Sequence, residues 1–243
     1  GRSVICFDEV ASTNDVAFAS ARQRDADGLV IMAEHQTAGR GRAGRRWHSR
    51  PGANVLLSAL LMGVEPLPTG ALTIAAGLAA AEAAEEACGA ACRLKWPNDV
   101  LLDGAKVAGV LVEARDVDGR AAVVVGIGVN ANACPPPVDV HHPATTLADA
   151  LGRAIDRIDL ARMIIRRLDR WVGSACDGRI ESIRRSWRDR CDLLGRRITV
   201  RCGGQVHVGR ALDVSPFDEL VIEDDLGRRV ALPANGSTVE SME

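Results

Sequence analysis

Four short segments of this 243-residue chain combine residue types that bind anions and hold small polar molecules. The densest is GRGRAGRRW, from Gly39 to Trp47. Gly39, Gly41 and Gly44 let the backbone pass close to a ligand and turn N–H groups toward it, while Arg40, Arg42, Arg45 and Arg46 supply charge for a carboxylate or phosphate. Trp47 could close such a loop over an aromatic base. On composition alone the run also fits a disordered basic tail or an RNA-binding segment, readings weakened by its position between two strand-like stretches. It is not a P-loop, because the GxxxxGK[ST] pattern is absent.

The second segment, LKWPNDVLL, sets Lys95 before a rigid Trp96-Pro97 step and places Asn98 and Asp99 in a turn. A lysine, an amide and a carboxylate at one bend suit nucleotide phosphates, with Asp99 available to a magnesium ion; the plain alternative is an Asn-Asp turn. In the third, KVAGVLVEA, Lys106 opens a strand and Gly109 leaves room for a ligand; strict alternation puts Lys106 and Ala108 on one face, Val107 and Gly109 on the other. The fourth, VVVGIGVNAN, is a buried strand carrying Gly126, Gly128 and a terminal Asn130.

The basic residues sharpen this reading. Twenty-eight are arginines and only two are lysines, Lys95 and Lys106. A compact ammonium fits where a planar guanidinium clashes, and its pKa shifts readily. In a chain that uses arginine nearly everywhere, both lysines fall inside independently suspicious segments, which makes chance placement a poor explanation.

The elements that must position these groups follow from pattern. Val4–Phe7 reads as a strand, and Ser12, Thr13 and Asn14 offer N-cap groups for a helix to about Arg24. Asp27-Gly28 is a turn, LVIMAE a buried strand, and 37–52 a long loop without regular structure, a kind of segment that tends to be functional. NVLLSALLM is a strand, and the alanine-rich stretch 72–88 a helix able to pack closely on a sheet. From 93 to 132 short strands alternate with the hairpin signals Asp103-Gly104 and Asp118-Gly119, an antiparallel meander. A proline-rich loop spans 134–143, helices follow at 160–171 and 179–191, and four or five short strands close the chain after Leu194. The expectation is an α+β fold: a mixed, largely antiparallel sheet with packed helices in 1–190, and a small β-barrel in 191–243.

Composition bounds the class. With 47% hydrophobic and 26% charged residues the chain is globular, and a formal charge of −2 argues against a nonspecific nucleic-acid binder. No apolar run reaches the length of a membrane span, and the N-terminal residues lack the zones of a secretory signal, so a cytoplasmic location and no membrane partner are expected. Seven scattered cysteines read as reduced, buried thiols and not as a zinc site.

Together the segments resemble the biotin protein ligase family: STN at Ser12–Asn14, HQTAGRGRAGRRW at His35–Trp47, KWPNDV at Lys95–Val100, KVAGVLVE at Lys106–Glu113 and GIGVN at Gly126–Asn130. The resemblance implies the catalytic domain shared by biotin and lipoate ligases, which is class II synthetase-like, to about residue 190, and an SH3-like C-terminal domain. It implies a two-step reaction, in which the biotin carboxylate attacks the α-phosphorus of MgATP to give biotinyl-5′-AMP and pyrophosphate. A lysine of a biotin carboxyl carrier protein then takes the acyl group. By the same resemblance Ser12, Thr13, Asn14 and Gln36 hold biotin's ureido ring, with Gly39, Gly41 and Gly109 beside the ligand. Lys106 meets the biotin carboxylate, and Lys106 and Arg42 carry catalysis. Arg40 and Arg42 hold the phosphate and retain the adenylate, while Trp47, Lys95, Asn98, Asp99 and Asn130 face ATP. The loop should order over the ligand and exclude water.

The resemblance is compatible with a homodimer. Too few residues precede Val4 for a winged-helix domain, so no DNA binding is expected. No tail residue is carried over, and Arg228 and Arg229 stay open. The alternatives are a lipoate or octanoate ligase, whose linear acyl group needs fewer polar partners, and a non-catalytic biotin- or RNA-binding module.

Overall fold

Two sheets and five helices organise the chain in a computed structural model that describes residues 3–23, 25–64, 67–135, 143–214 and 219–242. The first sheet is built from β1 (Ser3–Val10), β2 (Leu29–Gln36), β3 (Val55–Met62), β4 (Cys92–Lys95), β5 (Asp99–Leu102), β6 (Ala105–Val117) and β7 (Arg120–Val129). Its order is β1-β2-β3-β7-β6-β5-β4, with β1 and β2 parallel and every other neighbour antiparallel. The parallel pair is joined through α1 (Thr13–Ser20), shorter than its apolar pattern predicts; Arg24 lies outside the described residues. Both predicted hairpin turns carry positive φ at their two central residues, 49° and 77° at Asp103-Gly104, 54° and 79° at Asp118-Gly119, as a two-residue turn matched to strand twist requires.

The sheet is covered on both faces, which is why β3 is buried from Val55 to Leu60. On one face α1 packs Ala17, Phe18 and Ala21 against Ile31, Leu60 and Val124. On the other lies α2 (Thr69–Cys88), whose small alanines bring helix and sheet close; it ends on Gly89 in the left-handed region. A second layer follows. α4 (Arg157–Cys176), capped by the Asp156 carboxylate, buries Leu160, Ile164, Leu168 and Val172 at helical spacing, and α5 (Ile180–Arg190) buries Ile183 and Trp187. α3 (Leu147–Leu151) is absent from the sequence reading, since five residues are too few to show a period.

The tail forms a five-stranded antiparallel sheet in the order β11-β10-β9-β8-β12, from β8 (Arg197–Cys202), β9 (Gln205–Val214), β10 (Glu219–Glu223), β11 (Arg229–Pro233) and β12 (Ser237–Met242). Its buried Ile198, Val200, Leu220 and Ile222 join the main core.

Other details depart from expectation. The stretch 37–52 is not free of regular structure: Arg40 bridges Arg46, and a short 3-10 turn spans Arg42–Gly44. The cysteines are all unpaired, but only Cys88, Cys92 and Cys191 are buried, whereas Cys6 and Cys176 are exposed. Most of the proline-rich loop, 136–142, lies outside the described residues.

Candidate active site

The site lies on the α1 face of the sheet, beyond the N-terminus of that helix. Residues paired across antiparallel strands point to the same face. Two rows form its floor, Ser58–Gly126–Leu111 and Leu56–Gly128–Gly109. The three glycines make room for side chains arriving from elsewhere. A Cβ on Gly128 would sit 2.5 Å from the Trp47 ring, one on Gly126 2.5 Å from Asn14 Oδ1, and one on Gly109 3.0 Å from Trp47 and 3.2 Å from Lys106 Nζ.

That last contact corrects the alternation argument. The register between β5 and β6 pairs Val100 with Ala108 but Leu101 with Lys106, so Val107 is an extra residue in the ladder. The bulge resets the side-chain parity, and the Lys106 ammonium swings beside Gly109 instead of opposite it.

At one end of the floor a set of neutral polar groups is buried among apolar strands. Ser12, Thr13 and Asn14 are all at most 5% exposed, and Ser58 is fully buried. Ser12 sits at the N-cap position, yet its side chain makes no capping bond. Gln36 Oε1 accepts from the Thr13 backbone N–H at 2.7 Å and its hydroxyl at 2.9 Å. Ser58 Oγ lies 2.7 Å from Thr13 Oγ1 and 2.6 Å from Asn14 Oδ1, and Asn14 Nδ2 donates to Glu113 Oε2 at 2.6 Å. At the other end the charges gather. Lys106 Nζ lies 2.5 Å from Asp99 Oδ1 and 5.5 Å from the Trp47 ring centre.

A cavity of about 370 Å³ joins these ends. Ser12, Thr13, Asn14, Gln36, Arg40, Gly41, Arg42, Trp47, Asn98, Asp99, Lys106, Gly109 and Asn130 all line it, with apolar walls from Leu56, Leu111 and Ile127. Gly39 and Lys95 face an adjoining cavity of about 720 Å³, which also contains Arg40, Asn98 and Asp99 and is closed by tail residues 233–239. Gly39 has a packing role: a Cβ there would lie 2.6 Å from the Trp47 carbonyl oxygen. The tail holds the loop as well, through Arg42 Nη2 donating to the Ala234 carbonyl and Arg45 Nη2 to Thr238 Oγ1 at 2.9 Å. Arg228 instead pairs with Asp224 across a turn, and neither it nor Arg229 lines either of these two cavities.

Electrostatics follow the burial. Arg40 makes a two-pronged bond to Asp15, at 2.6 and 2.8 Å, which raises its own pKa and holds the Asp15 carboxyl below the usual range. Burial pushes the Lys95 ammonium down, with Lys106 and Arg45 adding to the effect and Asp99 opposing it. Asn130 Nδ2 donates to the Lys106 and Thr145 carbonyls, while its Oδ1, like Trp47 Nε1, is buried without a partner. No group of three or more carboxylate, histidine or cysteine side chains is placed to hold a metal among the described residues. Asp99, the expected magnesium contact, is engaged by Lys106.

Sequence reasoning missed Ser58, Asp15 and Glu113. A serine at the centre of the apolar run VLLSALLM was the available signal for the first.

The arrangement suits a small molecule with a neutral polar head and an anionic end, and comparison with known proteins places the chain in a family. Residues 6–130 match the model of the biotin/lipoate A/B protein ligase family. The chain is 36% identical over 238 residues to the biotin–[acetyl-CoA-carboxylase] ligase of Mycobacterium tuberculosis, covering 95% of this chain and 86% of that one. It is 32% identical over 231 residues to the bifunctional ligase/repressor BirA of Bacillus subtilis, covering 93% and 71%. The structure superposes on the biotin protein ligase of Aquifex aeolicus in complex with biotin and ATP with a TM-score of 0.85, at 26% identity, covering 98% of this chain and 99% of that one. The chain belongs to the biotin/lipoate A/B protein ligase family, on its biotin protein ligase side, and is a ligase enzyme.

Proposed function

We propose that this enzyme condenses biotin with MgATP to biotinyl-5′-AMP and pyrophosphate, and then transfers the biotinyl group to a lysine of a biotin carboxyl carrier protein. The carrying observation is the cavity that runs from the neutral network of Thr13, Asn14, Gln36 and Ser58 to the charged pair of Lys106 and Asp99. A ureido ring is neutral and both donates and accepts, so it suits the first end; each buried polar atom left unpaired there would cost about 1–3 kcal/mol. Leu56, Leu111 and Ile127 suit a thioether ring and an aliphatic chain.

In the first step a carboxylate oxygen of biotin attacks the α-phosphorus and pyrophosphate leaves with the P–O bond electrons. Lys106 neutralises the approaching carboxylate and the charge on the phosphoryl oxygens, while Arg40 and Arg42 hold the phosphates in line. Magnesium enters as part of the nucleotide substrate. The partnerless Asn130 Oδ1 suits the exocyclic amine of adenine, and Trp47, a wall of the same cavity, suits packing against the base. In the second step the carrier amine attacks the acyl carbon, AMP leaves, and the amine loses a proton. Residues 191–243, in this reading, form an SH3-like unit that walls the adjoining cavity.

Among the described residues no helix is long and apolar enough to cross a membrane. The test is pyrophosphate release from purified protein with MgATP and biotin, beside lipoate and octanoate and without a carrier. Biotin-dependent release supports the reading, and release with lipoate alone moves it to the sister activity. A mass increase on an added carrier protein, lost when its acceptor lysine is replaced, tests the second step.

A further inference from the structure

Hydrogen bonds link the two cavities through one carboxylate oxygen. Glu113 Oε2 accepts from Asn14 Nδ2 at 2.6 Å, inside the polar head pocket, and from Arg40 Nη2 at 3.3 Å, on the glycine-arginine loop. Behind Asn14 the chain of contacts continues through the Ser58 and Thr13 hydroxyls and the Thr13 backbone N–H to Gln36. Behind Arg40 it continues to Asp15, which with Glu113 also receives Arg115 Nη2, at 3.5 and 3.3 Å. The amide is held in place because Gly126 has no side chain. Glu113 projects from the same sheet face as Gly109 and Leu111, next to α1, and lines the adjoining cavity.

An oxygen shared by two donors cannot follow one without moving against the other. A molecule that fixes the Asn14 amide biases the carboxylate, and the carboxylate, with Asp15, sets the guanidinium that lines both cavities. From this juxtaposition we infer that Glu113 is a positioning residue that couples occupancy of the polar head pocket to the placement of Arg40 for phosphate binding. The inference rests on the reading of the first cavity as the biotin pocket and adds to it a route by which biotin and nucleotide assist each other's binding. Such assistance is a coupling between two sites, and it is reciprocal.

Glu113→Gln keeps an acceptor for Asn14 and removes the charge that ties Arg40 to it, while the two-pronged bond of Arg40 to Asp15 stays. Biotin affinity is measured by calorimetry with and without a non-hydrolysable ATP analogue and magnesium, for wild type and variant. In the wild type the analogue should tighten biotin binding by about tenfold or more, and in Glu113→Gln this factor should fall to within about threefold, with biotin alone little weakened. A merely structural residue would lower both affinities and leave their ratio unchanged. Equal ratios in the two proteins overturn the inference, as does a wild type that binds biotin with no coupling. A wild type that binds no biotin fails the functional reading itself. Should Glu113→Gln not fold, the double-mutant cycle of Asn14→Ala with Arg40→Gln asks the same question without touching Glu113. Non-additive effects on the coupling support the route, and additive effects refute it.

Discussion

Lys106 and Asp99, on neighbouring strands, approach to 2.5 Å, the lysine lining the first cavity and the aspartate both. The approach depends on the bulge at Val107, which turns the lysine toward Gly109 and the Trp47 ring. The ammonium packs against Gly109 and the Trp47 ring, contacts that a planar guanidinium would have to remake.

Lys106→Arg should therefore abolish most of the first half-reaction despite keeping the charge. The planar fork must occupy space bounded by Gly109 and Trp47, and the transition-state charge loses its point donor. Pyrophosphate release should drop by about 10²-fold or more, with a smaller change in melting temperature. An arginine variant of near wild-type rate would remove Lys106 from the chemistry.

Gly128→Ala and Gly126→Ala separate packing from binding. The new methyl at 128 lands on the Trp47 ring, a rigid body, and should cost about 1–3 kcal/mol by overpacking. At 126 it lands on the end of the Asn14 side chain, which can rotate away, so the loss should appear in biotin affinity more than in stability. Urea unfolding and biotin titration on both variants check the contrast. Equal effects at the two positions would mean that Asn14 does not touch the ligand.

These contacts mark how far the sequence could be read. The glycine-arginine run, the two lysines and the hairpin dipeptides announce themselves, because special backbone angles and rare ammonium groups leave a trace in residue type. Ser58 leaves almost none, since a small hydroxyl in an apolar strand becomes informative only when the register sets it beside Thr13 and Asn14. Glu113 and Asp15 read as surface charge until Arg40 folds back on them. The bulge at Val107 was illegible for a different reason: strict alternation assumes an uninterrupted ladder, and one extra residue inverts every face assignment on one side of it.

Asn130 offers a test of nucleotide choice. Its amide nitrogen is spent on backbone carbonyls and its oxygen has no partner, so under the proposed function it offers an acceptor to the amine of adenine, which the oxygen of guanine cannot use. Asn130→Ala should raise the KM for ATP by about tenfold, the worth of one hydrogen bond, and narrow the preference over GTP. An unchanged ATP-to-GTP ratio of kcat/KM would show that the base is read elsewhere.

Lys95 predicts a pH dependence whose sign follows from its burial. Its folded-state pKa lies below the ordinary 10.5, because removal from water penalises the ammonium and Lys106 and Arg45 repel it. Between the two values the unfolded chain binds more protons than the folded one. The stability contribution of this group therefore rises with pH across that window, and the penalty is full below it. Lys95→Met should be more stable than wild type at neutral pH, and the difference should shrink as the pH climbs toward 10.5. Every other titrating group is common to both proteins, so the difference between their urea midpoints isolates this one. The same variant should lose pyrophosphate release, because Lys95 faces the cavity assigned to the phosphates. Activity lost together with stability at every pH would make Lys95 a packing residue; activity lost while stability is gained would mark a buried charge retained for its chemistry.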